Sequence, residues 1–168
     1  MATVSNATIT NNQDPWSGDL GTSDHLTENL NNLSIQSLYK GLDQVTVGNG
    51  QTLPINHISN ASLHTKYHKF LLGNVLHVPR IALNLLSVHK FYLHSNCSCH
   101  FDANELKIQD ILTSRILYKG LSENGAYSIY SKNFSKHPSS THASSPQLHT
   151  IYAFHVQKQI SGCYDTTD

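Results

Sequence analysis

The chain has 168 residues, room for one domain with tails, and its 11 Lys+Arg balance its 11 Asp+Glu. Zero net charge removes the basic footprint of a nucleic-acid binder, and charged residues at 13% are about half the usual ~25%. No apolar run approaches the ~18 residues of a membrane span, and the first residues lack the basic and apolar regions of a secretory signal.

Residues 1–14 are polar and without period, and read as a flexible leader. Residues 15–131 carry almost all the strand-like segments. Within them Asp43–Ile55 is the clearest: Val45 and Val47 alternate with polar residues, Asn49-Gly50 supplies the turn, and Leu53 and Ile55 resume the alternation. That pattern predicts a β-hairpin, with Asp43 as an ordinary turn residue before it. Phe70–Val78 predicts an apolar strand broken at Gly73-Asn74 and ended by Pro79. Leu83–Leu93 predicts a short helix. Cys97–Phe101, Glu105–Gln109, Arg115–Tyr118 and Ala126–Tyr130 read as short strands joined by turns such as Asp102-Ala-Asn and Glu123-Asn-Gly. Many short strands and one short helix predict an all-β fold, a small closed or nearly closed barrel. Residues 132–150 form a Ser/His/Pro linker, and residues 132–168 together read as that linker and the start of a further segment.

Three cysteines are an odd set, and Cys97 and Cys99 stand too close in sequence for good disulfide geometry. That usage fits a reducing compartment, hence a cytoplasmic protein. Cys97-x-Cys99-His100 with His94 nearby supplies only half a zinc site, so surface histidines and half-buried thiols on a strand are the simpler reading. Gly48-Asn-Gly50 has no following Lys or helix start and is not a phosphate loop. Tyr118, Tyr127 and Tyr130 alternate with Ile116 and Ile129, which suits packing better than base stacking. No cofactor and no metal is expected.

The segment Trp16-Ser-Gly-Asp19-Leu20-Gly21-Thr22-Ser23 carries the chemistry. An Asp two residues before a Gly, after an aromatic, resembles the D-[ST]-G loop of aspartic proteases. In that chemistry two carboxylates share one proton, one activating water and the other donating to the peptide carbonyl. The chain has no second Asp-x-Gly, so the partner carboxylate must come from a second copy in a homodimer.

Further blocks extend the likeness. Asp19-x-Gly-x-x-x-His25-x-Thr, Leu30-Asn-Asn-Leu33, Tyr39-x-Gly41-x-Asp43-x-Val45-x-Val47-Gly-Asn-Gly50-x-x-Leu-Pro-Ile-x-His57, Val75-Leu-His-Val-Pro79-x-Ile81-x-x-Asn84-Leu-Leu-Ser-Val88 and Ile116-Leu-Tyr-Lys-Gly120-Leu121 occur in order. Together they closely resemble the protease-like region of copia-type retrotransposon Gag-Pol polyproteins over roughly residues 15–131. The resemblance implies a retropepsin-like β-barrel, Asp19 as the catalytic carboxylate, Asn84-Leu-Leu as the short helix backing its loop, and a peptide substrate if the domain is active. Where that family reads Asp-Ser-Gly-Ala-Thr, this chain reads Asp19-Leu20-Gly21-Thr22-Ser23. Leu20 cannot make the hydroxyl hydrogen bond across the dimer, a loss of roughly 1–3 kcal/mol felt twice by symmetry. The expectation is a degenerate, truncated fragment of a retrotransposon polyprotein without catalysis; the alternative is an active homodimeric aspartic endopeptidase. Neither nucleic acid nor membrane is an expected partner.

Overall fold

The structure, a computed structural model, describes residues 15–123 and 125–131, and the backbone of 157–159. The expected leader lies outside the described residues, as does the linker and tail apart from 157–159.

In chain order the elements are β1 (Trp16–Asp19), β2 (Leu26–Thr27), a 3-10 turn (Leu30–Asn32), β3 (Ser37–Leu38), β4 (Gln44–Thr46), β5 (Thr52–Pro54), β6 (His57–His64), β7 (Lys69–His77), β8 (Asn84–Ser87), α1 (Val88–Ser95), β9 (Cys97–Phe101), β10 (Glu105–Asp110), β11 (Ile116–Glu123), β12 (Ala126–Ile129) and β13 (Gln157–Gln159). Ten strands form one sheet in the order β3-β6-β7-β2-β8-β1-β12-β11-β10-β9, and β13-β4-β5 form a second. The all-β class with one short helix is as expected. The barrel is not closed: β3 and β9 end the ten-stranded ladder and do not pair with each other. β3 is only two residues long, and both are exposed.

The predicted hairpin forms as β4 and β5, with Val45 opposite Leu53. Val47 N donates to Gln51 O at 2.9 Å and Gly50 N to Val47 O at 2.8 Å. Gly50 sits at φ 81°, so the turn is a three-residue loop closed by a left-handed glycine. In β7, Phe70 and Leu72 point inward while Lys69 and Leu71 are exposed. Asn74 at φ 52° then breaks the period, opposite a register shift between Ser59 and Ala61. Asn60 Oδ1 fills the gap by accepting Asn74 N at 3.2 Å. Beyond the break Val75, Leu76 and His77 are all buried, where the strand lies between β6 and β2.

One expected element changes type. Asn84-Leu-Leu-Ser87 is a strand, not the first turn of the helix, and the helix starts at Val88. β8 pairs in parallel with β1 and touches β2 on its other edge, and its two faces enter different buried clusters, so all four residues are buried. A short apolar run with both faces covered has no period to separate strand from helix. The side chain of Ser87 then caps α1 by accepting Lys90 N, and Asn96 in left-handed conformation ends it.

Two buried clusters fill the interior. The larger joins Trp16, Leu63, Phe70, Leu72, Val75, Leu86, Phe91, Leu106, Ile108 and Ile129 with their neighbours. The smaller joins the hairpin residues Val45, Leu53 and Ile55 to Leu26, Leu76, Val78, Ile81 and Leu85. It seats the hairpin against Leu26, directly after the loop that follows β1, and against Leu85 of β8.

Candidate functional site

β1 delivers Asp19 to the end of the sheet. The register Asp19↔Ser87 sets that loop against the start of α1. Asp19 Oδ1 accepts the amide of Gly21 at 2.7 Å, so one carboxylate oxygen is fixed by the loop's own backbone. Between them Leu20 is 77% exposed. The branch is held in solvent, beside the carboxylate, rather than folded into the core.

The next residues anchor the loop from behind. Thr22 is buried, its hydroxyl donates to Asp24 O at 3.1 Å, and its carbonyl accepts Ser87 Oγ at 2.9 Å. The extra polar group of Thr22 is therefore satisfied. Ser23 Oγ donates to Asp24 Oδ2 at 2.9 Å, and the Lys90 ammonium pairs with the other oxygen of Asp24. His25 is 1% exposed, and its Nδ1 accepts the amide of Ser87 at 3.1 Å. Burial first, then the charges of Lys90 and His94, pull its pKa down to about 4, against a smaller opposing pull from Asp24. His25 is a neutral brace between the loop and the helix start.

A second buried net lies one turn further on. Thr27 Oγ1 donates to Asn84 Oδ1 at 2.7 Å and accepts Asn32 Nδ2 at 2.8 Å. It ties β2 to β8 and to the 3-10 turn.

His57, singled out by sequence, pairs across the β6–β7 ladder with His77, Nδ1 to Nδ1 at 2.9 Å. His77 Nε2 lies 3.1 Å from the carbonyl of Glu28, which can only accept, so Nε2 carries the proton. With that ring neutral, its Nδ1 accepts and His57 Nδ1 donates. Desolvation lowers the pKa of His77, in keeping with a neutral ring. The pair is a structural tie remote in sequence from the Asp19 loop.

Cys97 is buried and donates to Ser95 O at 2.9 Å. Burial pushes the Cys99 thiol up to about 12, so it stays protonated near neutrality. Among the described residues no group of three or more His, Cys, Asp or Glu gathers in a metal-holding arrangement. Asp43 lies just ahead of the hairpin and accepts the Tyr39 hydroxyl.

Asp19, Leu20 and Gly21 thus form one turn with Leu20 exposed and its neighbours half-buried, backed by the buried Thr22 and His25, with Ser23 on the surface between them. What the motif did not disclose was the Asp24–Lys90 pair and the double role of Ser87. Ser87 carried a usable signal, a hydroxyl directly before an apolar helical run, which marks an N-cap. A lone carboxylate in this setting can hold a water or a proton. Splitting that water against a peptide needs a second group to share the proton. Asp24, the next carboxylate along the loop, is committed to Lys90 and Ser23.

Comparison with known proteins places these residues. Residues 16–97 match the family model described as Pol polyprotein, beta-barrel domain. The retrovirus-related Pol polyprotein from transposon RE1 of Arabidopsis thaliana is 36% identical over 112 residues, covering 67% of this chain and 8% of the relative. The corresponding polyprotein from transposon RE2 of the same plant is 34% identical over 116 residues, covering 69% of this chain and 8% of the relative. The chain thus spans under a tenth of the length of these relatives. No solved structure matches. No helix among the described residues is long and apolar enough to cross a membrane.

Proposed function

Since residues 16–97 belong to the Pol polyprotein beta-barrel domain family, we propose that this chain is a copia-type, aspartic-protease-like domain of a retrotransposon polyprotein that no longer cleaves peptides. The observation that carries the reading is Leu20. It stands where the protease-like loop needs a hydroxyl, and it is exposed beside the Asp19 carboxylate. In a two-fold dimer that brought two such loops together, each carboxylate would face the other past a pair of leucines, with no hydroxyl to lock the turns. Proximity chemistry falls steeply with misplacements of about an ångström. The buried brace of Ser87, His25 and Thr22 keeps the turn folded without requiring the second copy. We place the protein in the cytoplasm.

The test is direct. The purified chain and its Asp19→Asn variant are incubated with a denatured protein substrate at mildly acidic and at neutral pH, with and without pepstatin. Mass spectrometry of the products should find the two proteins indistinguishable. Pepstatin-sensitive cleavage by the wild type that disappears in Asp19→Asn would establish an active homodimeric endopeptidase instead. A Leu20→Ser variant adds a second reading. Cleavage gained on restoring the hydroxyl locates the defect at Leu20, and no gain places decay beyond it.

A further inference from the structure

The hairpin of β4 and β5 stands outside the ten-stranded sheet, and its two edges are chemically unequal. Val47 N bonds across the hairpin to Gln51 O. Antiparallel pairing alternates, so Val45 also turns its backbone groups toward β5, while Gln44 and Thr46 turn theirs to the outer edge of β4. On β5 the residue opposite Gln44 is Pro54. Its missing N–H falls on the outer edge of β5, which therefore cannot offer an unbroken ladder. The β4 edge carries no proline. It is also backed rigidly, because Val45 is 1% exposed and packs into the smaller cluster with Leu53 and Leu26.

That edge is occupied. Residues Gln157–Gln159 run antiparallel to β4, with Gln157 opposite Thr46, Lys158 opposite Val45 and Gln159 opposite Gln44. Gln157 and Gln159 thus face the two residues whose backbone groups point outward. We propose that the outer edge of β4 is a strand-addition site for an extended polypeptide, held in cis by residues 157–159 of the same chain. Recognition there is by main-chain hydrogen bonds, which accept many side chains. A three-residue ladder is weak in isolation. Tethering raises its effective concentration to about the millimolar range, so a free peptide must compete with the chain's own segment. The segment is a tethered plug, and its release exposes the edge to another strand. This inference does not depend on whether Asp19 cleaves.

Amide hydrogen exchange of the full chain, read residue by residue, tests it. The amides of Gln44 and Thr46 should be protected in the wild type. The double variant Gln157→Pro/Gln159→Pro removes both outward-bonding donors from the plug. It should raise exchange at Gln44 and Thr46 at least tenfold while leaving Val45, which bonds to β5, unchanged. Unchanged Val45 protection and Trp16 fluorescence serve as the check that the domain remains folded. A synthetic peptide of residues 154–162, added at millimolar concentration to the double variant, should restore the protection. Equal exchange at Gln44 and Thr46 in the two proteins overturns the proposal, as does a peptide that restores nothing. Wild-type protection that fades on dilution overturns the assignment in cis, because a second copy would then supply the strand.

Discussion

Protonation of His25 has nowhere to go. Its Nδ1 already accepts the amide of Ser87, and the ring is buried beside the Lys90 ammonium. An unfolded chain takes up that proton near the ordinary value of 6.5, whereas the folded chain refuses it until about 4. The stability this ring confers is therefore complete above pH 6.5, declines as the pH falls from there toward 4, and is exhausted below that. The swing is on the order of 3 kcal/mol. His77, also lowered by burial, acts in the same direction. Urea midpoints measured from neutral pH down to about pH 4 should fall, and His25→Asn should flatten the slope. A slope that His25→Asn leaves untouched would assign the acid sensitivity to other groups. Thr27 is the second residue whose chemistry is decided by burial. Thr27→Val keeps the shape but strips Asn84 Oδ1 of its short 2.7 Å donor in the interior. The variant should lose about 1–3 kcal/mol in urea denaturation. A loss under half a kcal/mol would mean that Asn32 Nδ2, 3.4 Å from the same oxygen, can take over.

Among the elements, α1 shows how one side chain joins a helix to the site. Ser87 Oγ accepts Lys90 N at 3.3 Å as the helix cap and donates to the carbonyl of Thr22 at 2.9 Å. Ser87→Ala removes both, and should cost about 1–2 kcal/mol for the cap and roughly another for the tether. Ser87→Asp can still cap but cannot donate as a carboxylate. It should keep α1 protected in hydrogen exchange while loosening the amides of residues 21–23. Equal loosening in both variants would show that the cap alone holds the loop. The helix and the hairpin also mark where sequence reading works and where it stops. Alternation in Val45, Val47, Leu53 and Ile55 with Asn49-Gly50 is entirely local, and the hairpin formed as read. β9 to β12 were legible for the same reason, with ends differing by a few residues. β8 is a strand where the sequence predicts helix, because its two faces are buried in different clusters while β1 and β2 flank its edges. Those neighbours come from about sixty residues earlier in the chain. β6 gave little sign of itself, because only Ala61 and Leu63 of its eight residues are fully buried.

At the scale of the whole molecule, β7 and β8 act as partitions. Successive residues on a strand face opposite ways, so Val75 and Leu86 enter the larger cluster while Leu76 and Leu85 enter the smaller. The candidate loop follows the same logic. Its motif was readable because Asp19, Leu20 and Gly21 are consecutive, whereas its support by Ser87 and Lys90 spans more than sixty residues and exists only once β1 and β8 pair. Two clusters sharing two strands should not melt apart. Leu53 lies in the smaller cluster and Trp16, the single tryptophan, in the larger. Leu53→Ala should cost about 2–5 kcal/mol as a cavity in the smaller core. If β7 and β8 couple the clusters, the midpoint seen by Trp16 fluorescence shifts as far as the one seen by far-ultraviolet circular dichroism. A Trp16 transition that stays in place, while the hairpin amides lose protection, would mean that the hairpin and its cluster fold as a separate unit. The Asp19 loop lies between Trp16 on one side and Leu26 on the other. In that case its geometry would be set by the larger cluster alone, and changes in the hairpin would leave it unaltered.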